Sequence, residues 1–132
     1  MKIRAVEKIL VLFLIQSLLL ICCHKEEEKY AQTLVRTLDA GKVMSTKNAI
    51  DKIAFSLNRY MMDTGKYAEG EGFSAIEAVL VPMYANELRV KDAWGNEMHY
   101  TSDGQKFTLS SAGEDRIFDT SDDIVMVNGE YR

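Results

Sequence analysis

Five carboxylates crowd ten consecutive positions near the C-terminus: Glu114, Asp115, Asp119, Asp122 and Asp123, with Arg116 the one cation among them. Held in one loop, such charges repel one another unless a counterion neutralises them. A hard divalent cation can do so, because calcium takes six to eight oxygens in flexible geometry and accepts backbone carbonyls among them. The stretch contains no histidine or cysteine, which disfavours transition metals. Nor is it an EF-hand, since Ile117 and Thr120 stand where that pattern needs an oxygen ligand and a glycine. Composition alone leaves two readings open, a solvated acidic turn and a calcium site.

A metal here could also activate water for hydrolysis. The residues do not favour it. His24 lies in the N-terminal stretch, His99 belongs to the polar face of a strand, and no Gly-x-Ser-x-Gly elbow is present. Ser110-Ser111 reads as a strand end. The expectation is a non-enzyme with no small-molecule substrate. A net charge of −4 without a basic stripe argues against nucleic acid as a partner.

The elements that must position the loop follow from periodicity. Ile50, Ile53, Ala54, Leu57, Tyr60 and Met61 have helical spacing with one apolar face, and Asp51, Lys52, Asn58 and Arg59 fall largely opposite. Leu34, Val35 and Leu38 suggest an earlier helical stretch, with Gly41 as a break or bend and Ser45 as the N-cap of the later one. Asp63-Thr64-Gly65 should end the helix. Ser74-Ala75-Ile76-Glu77 has the form of a capping box, opening a short helix that Pro82 stops. Asp103-Gly104 then signals a two-residue hairpin turn, pairing Tyr100 with Phe107 and Met98 with Leu109 on an apolar face, and His99 with Thr108 on a polar one. Residues 124–127 supply a third strand. The expected fold is α+β, a long N-terminal helix packed on an antiparallel sheet of about three strands, with the globular domain over residues 46–132.

Several separated stretches together carry a resemblance. Asp63-Thr64-Gly65-Lys66-Tyr67, Lys91-Asp92-Ala93-Trp94-Gly95-Asn96, His99-Tyr100, and Leu109-Ser110-Ser111-Ala112-Gly113 with Asp115 and Asp122-Asp123-Ile124 resemble the C-terminal domain of the major pseudopilin, the G subunit, of type II secretion systems. The likeness covers roughly residues 46–127. It implies a pilin-like globular domain and a calcium-binding loop. The carboxylates of Asp115, Asp122 and Asp123, the Ala112 carbonyl and a carbonyl near Ile117 or Phe118 would be its ligands. It implies partners among secretion or pilus-like proteins, and a structural place for Trp94 in its corner. Ala68 and Ala93 stand where that family usually has proline, which should loosen turns and spare the fold.

The N-terminus departs further. Lys2, Arg4 and Lys8 precede an uncharged run, residues 9–21, whose thirteen residues of helix cover roughly 20 Å of a ~30 Å hydrocarbon core. A basic start, a short apolar stretch and an abrupt polar sequence match a secretory signal over residues 1–22. The stretch ends in adjacent cysteines, Cys22 and Cys23, poorly placed to pair with each other. Leu20-Ile21-Cys22-Cys23 or Leu19-Leu20-Ile21-Cys22 resembles a lipobox. The residue before the acylated cysteine is usually small, so Cys23 is preferred over Cys22, and an uncleaved signal anchor is the other reading. Residues 23–45 would be a tether and the start of the helix. The expected place is the cell envelope, on the periplasmic side or the cell surface, with a lipid anchor in the membrane. The apolar run carries no glutamate and no glycine cleavage site of the pseudopilin kind, which sets a lipoprotein against an atypical filament subunit that keeps its hydrophobic helix. Mass spectrometry of the native protein separates them: a diacylglyceryl group on an N-terminal Cys23 is expected, and an intact residue 9–21 segment would instead support the filament subunit.

Overall fold

The computed structural model describes residues 28–132 in full and, before them, the helical backbone from Ile3. The signal segment 1–22 and the choice between Cys22 and Cys23 lie outside the fully described residues. The chain divides into two compact units, Met1–Asp39 and Ala40–Arg132. Helix α1 (Ile3–Thr64) runs through residues of both.

In the first unit the described residues are helical, and the hydroxyls of Thr33 and Thr37 donate to carbonyls four residues back. Tyr30, Leu34, Val35 and Leu38 are exposed there. Among the described residues no helix is long and apolar enough to cross a membrane.

The second unit is built on the apolar face of α1. Ile50, Ile53, Ala54 and Leu57 are buried, as their spacing predicts, while Asp51, Lys52 and Arg59 are exposed. Gly41 does not interrupt the helix and Ser45 does not cap it. One glycine costs a helix about 1 kcal/mol relative to alanine, which the buried face that follows outweighs. The Ser45 hydroxyl instead accepts a hydrogen bond from Arg89 Nη1 at 3.1 Å. The helix ends where expected: Gly65 takes φ +81° and its N–H closes on the Met61 carbonyl at 2.8 Å.

Helix α2 (Phe73–Leu80) turns Phe73, Ile76 and Leu80 into the core. The expected capping box does not form. The N-cap is Gly72, at φ +80° and without a side-chain cap bond, and Ser74 sits inside the helix. Starting early brings Phe73 into the core, and burying a phenylalanine is worth about 1.5–3 kcal/mol against about 1 kcal/mol for a side-chain cap.

The sheet has five antiparallel strands in sequential order, not about three: β1 (Gly70–Glu71), β2 (His99–Ser102), β3 (Phe107–Ser111), β4 (Ile124–Val127) and β5 (Glu130–Tyr131). The two additional strands are two-residue edges, too short to display an alternation in sequence. The β2–β3 register also differs from the expected one. Tyr100 pairs with Leu109, Thr101 with Thr108 and Ser102 with Phe107. Four residues, 103–106, make the turn, because the Asp103 carboxylate accepts the N–H groups of Gln105 and Lys106 at 2.9 and 2.8 Å and so satisfies amides a tighter turn would have paired. The shift is by two, so no side chain changes face. Tyr100, Phe107 and Leu109 remain buried.

These residues form one core with Ile50, Ile53, Leu57, Ile76, Leu80, Met98 and Met126. Strand β5 is fastened to α1 by the Tyr131 hydroxyl, which donates to Asp51 Oδ1 at 2.9 Å and lies 3.0 Å from the Lys47 carbonyl. Burial, reinforced by that carboxylate, pushes the Tyr131 phenol well above its usual range. The helix face can be tested directly. Leu57→Ala should cost about 2–5 kcal/mol in denaturant melts, and Phe55→Ala, at a site 65 % exposed, no more than about 0.5 kcal/mol.

Candidate functional site

Strand β3 ends and β4 begins on one paired position, Ser111 with Ile124. Residues 112–123 are therefore a loop whose two ends are tied together. Beneath it sits Asp92, only 3 % exposed. Its Oδ1 accepts the N–H groups of Trp94 at 2.9 Å and Asn96 at 2.8 Å. Its Oδ2 accepts the Ser111 hydroxyl at 2.7 Å and Asn96 Nδ2 at 3.1 Å. The next residue, Ala93, donates its N–H to the hydroxyl of Thr46 on α1 at 3.0 Å. This corner reaches the loop twice. Asn96 Nδ2 also donates to the Gly113 carbonyl at 2.8 Å, and the Ser111 hydroxyl accepts the Gly113 N–H at 3.2 Å. Trp94 packs at the margin of the core, partly buried.

Gly113 is where the two limbs of the loop meet. It takes φ +63°, and a Cβ there would stand 2.5 Å from both the carbonyl oxygen and Oδ2 of Asp122. No side chain fits. Asp122 fills that space and gathers the first limb: Oδ2 accepts the N–H groups of Glu114 at 2.7 Å and Asp115 at 3.1 Å, and Oδ1 accepts the Thr120 hydroxyl at 2.7 Å. These donors, the Thr120 hydroxyl first and the Asp115 N–H next, hold the Asp122 carboxyl below the usual aspartate range, against an opposing effect of burial. Arg116 and Asp119 also take positive φ, +65° and +70°, as a loop closing in so few residues requires.

The other expected ligands occupy the same loop. Asp115 is exposed and accepts the Ile117 N–H on Oδ1 at 2.8 Å. Asp123 accepts the Asp119 N–H on Oδ2 at 2.8 Å, while its Oδ1 is buried with no hydrogen-bond partner among the described residues. Ala112 is buried, and Ile117 points its side chain to solvent while its carbonyl lies 3.1 Å from the Thr120 hydroxyl. Among the described residues no three acidic, histidine or cysteine side chains converge into a ready-made metal cage. What the loop offers is a set of hard oxygens: three carboxylates, each accepting at least one N–H group, and among them one buried oxygen, Asp123 Oδ1, with no partner among the described residues. A buried polar group without a partner is costly, and a cation of the calcium type suits such a donor set.

Sequence reasoning passed over Thr120 and Gly113. A hydroxyl two residues before an aspartate is a signal for Thr120, but the closeness of Gly113 to Asp122 is a contact nine positions apart with no local signature. His99 comes nearer the loop than expected. Its ring centroid lies 6.1 Å from that of Phe118, and its Nε2 is 3.3 Å from Glu71 Oε1.

A family model described as type II secretion system (T2SS), protein G, matches residues 33–129, which include the whole corner and the whole loop. No curated protein and no solved structure matches.

The lowered pKa of Asp122 has a testable sign. A carboxyl depressed in the folded state adds stability above the ordinary aspartate pKa, about 3.9, and that contribution is lost as pH falls through its lower folded value. Melts in chelator from pH 7 to pH 3 should therefore show a shallower acid loss for Asp122→Asn than for the wild type.

Proposed function

The chain belongs to the type II secretion system protein G family, and we propose that within it this protein is a non-catalytic, calcium-binding pseudopilin domain held at the bacterial envelope by an N-terminal lipid. Its role in secretion is that of a pseudopilin-type structural component, with other secretion or pilus-like proteins as partners. The calcium reading is carried by the buried, unpartnered Oδ1 of Asp123 in a loop that already concentrates Asp115 and Asp122. The carboxylates of Asp115, Asp122 and Asp123 would hold the ion with the backbone carbonyls of Ala112 and of Ile117 or Phe118. Bound there, calcium supplies positive charge that offsets carboxylate repulsion and cross-links the two limbs of the loop. The lipid anchor rests on the cysteine pair that ends the apolar run. More than one acyl chain holds a protein stably on a membrane.

One observation favours the second reading, a filament subunit that keeps residues 9–21. Tyr30, Leu34, Val35 and Leu38 leave exposed apolar side chains on the helix just beyond that run, and such surface suits a partner helix.

Thermal melts test the metal. With a dissociation constant of about 0.1 mM, typical of weaker extracellular sites, 1 mM calcium adds about 1.4 kcal/mol by mass action, a rise of several degrees over chelator. Asp123→Asn should abolish that rise. Equal melts with and without calcium in the wild type would return the loop to a solvated acidic turn.

A further inference from the structure

We infer that Asn96 and Ser111, both held by Asp92, are positioning residues for calcium, aiming two consecutive peptide planes of the loop without touching the ion. This rests on the calcium reading above. A trans peptide is planar, and its N–H and C=O point in opposite directions, so fixing one fixes the other. The Ser111 hydroxyl holds the Gly113 N–H at 3.2 Å and thereby sets the direction of the Ala112 carbonyl, a proposed ligand. Asn96 Nδ2 holds the Gly113 carbonyl at 2.8 Å and thereby sets the direction of the Glu114 N–H, which meets Asp122 Oδ2 at 2.7 Å. The first peptide aims an oxygen ligand. The second aims the donor that orients a carboxylate ligand.

Neither holder is free to turn. An amide nitrogen has two hydrogens, and Asn96 Nδ2 directs one to Asp92 Oδ2 and the other to Gly113. The Ser111 hydroxyl gives its one hydrogen to the same Asp92 oxygen and keeps a lone pair for the Gly113 N–H. The Asp92 carboxylate is itself buried and fully engaged. The corner thus stands to the loop as outer-shell partners stand to metal ligands, and losing such a partner typically weakens affinity 10–100-fold.

Calcium titration of the full-length protein in detergent by calorimetry, paired with melts in chelator, is the test. Asn96→Ala and Ser111→Ala should each raise the dissociation constant about tenfold or more, with Asp115, Asp122 and Asp123 intact. Tyr67→Phe is the control: it removes the bond from the Tyr67 hydroxyl to Asn58, near the turn at the opposite end of β3, and should lower the chelator melt without changing calcium affinity. Wild-type affinity in both Asn96→Ala and Ser111→Ala overturns the inference, whatever happens to their melts. An equal loss of affinity in Tyr67→Phe overturns it too, by showing general loosening. Should either corner variant lose its near-ultraviolet dichroism in chelator, the other decides. A wild type that takes no calcium sinks the metal reading itself, and this inference with it.

Discussion

Burying a carboxylate is costly unless its oxygens are hydrogen-bonded, and the Asp92 side chain, 3 % exposed, meets that condition with donors drawn from all around it. Its donors come from the Trp94–Asn96 turn and from the last residue of β3. The adjoining Ala93 N–H is fixed to Thr46 on α1. Corner and sheet end are thus placed with respect to one carboxylate, and neither can shift without leaving a charge unsatisfied, while the helix is tied to the corner beside it. The apolar core beneath supplies most of the stability, as cores do. The corner decides where the loop starts.

The loop itself is a balance between electrostatic repulsion and backbone satisfaction. Asp122 and Asp123 serve first as acceptors for N–H groups that have no strand partner, a role oxygen-rich side chains commonly take in turns. Asp122 can do this only because Gly113 leaves room for it. The cost is concentrated negative charge with Arg116 as the nearest cation in sequence, and one oxygen of Asp123 left without a donor. Glu114, Asp115 and Asp119 can relax into solvent because they are exposed. Asp123 Oδ1 cannot, so it is the atom on which a bound cation would have the greatest effect.

The edges of the sheet are kept short. β1 and β5 expose two residues each as strand, which limits unwanted edge pairing, and β5 is further fastened by Tyr131 to Asp51. The surfaces left for partners are side-chain surfaces.

Local pattern alone determined much of this protein. The buried face of α1 over residues 50–57 was legible because helical periodicity is a property of neighbours in sequence. The stop at Gly65 was legible because glycine takes positive φ without a Cβ penalty. The inward faces of β2 and β3 survived an error in register because alternation repeats every two residues. The acidic loop stood out from composition, the separated motifs together pointed to the family, and that resemblance singled out three candidate aspartates within the loop. Tertiary structure decided what depends on distant partners. The edge strands exist only where neighbours accept them, the cap of α2 gave way to the burial of Phe73, and Gly41 stayed helical. That Asn96 reaches Gly113, and that Gly113 admits Asp122, follows from how the corner and the sheet end pack, because residues so far apart in sequence meet only once the core has brought them together.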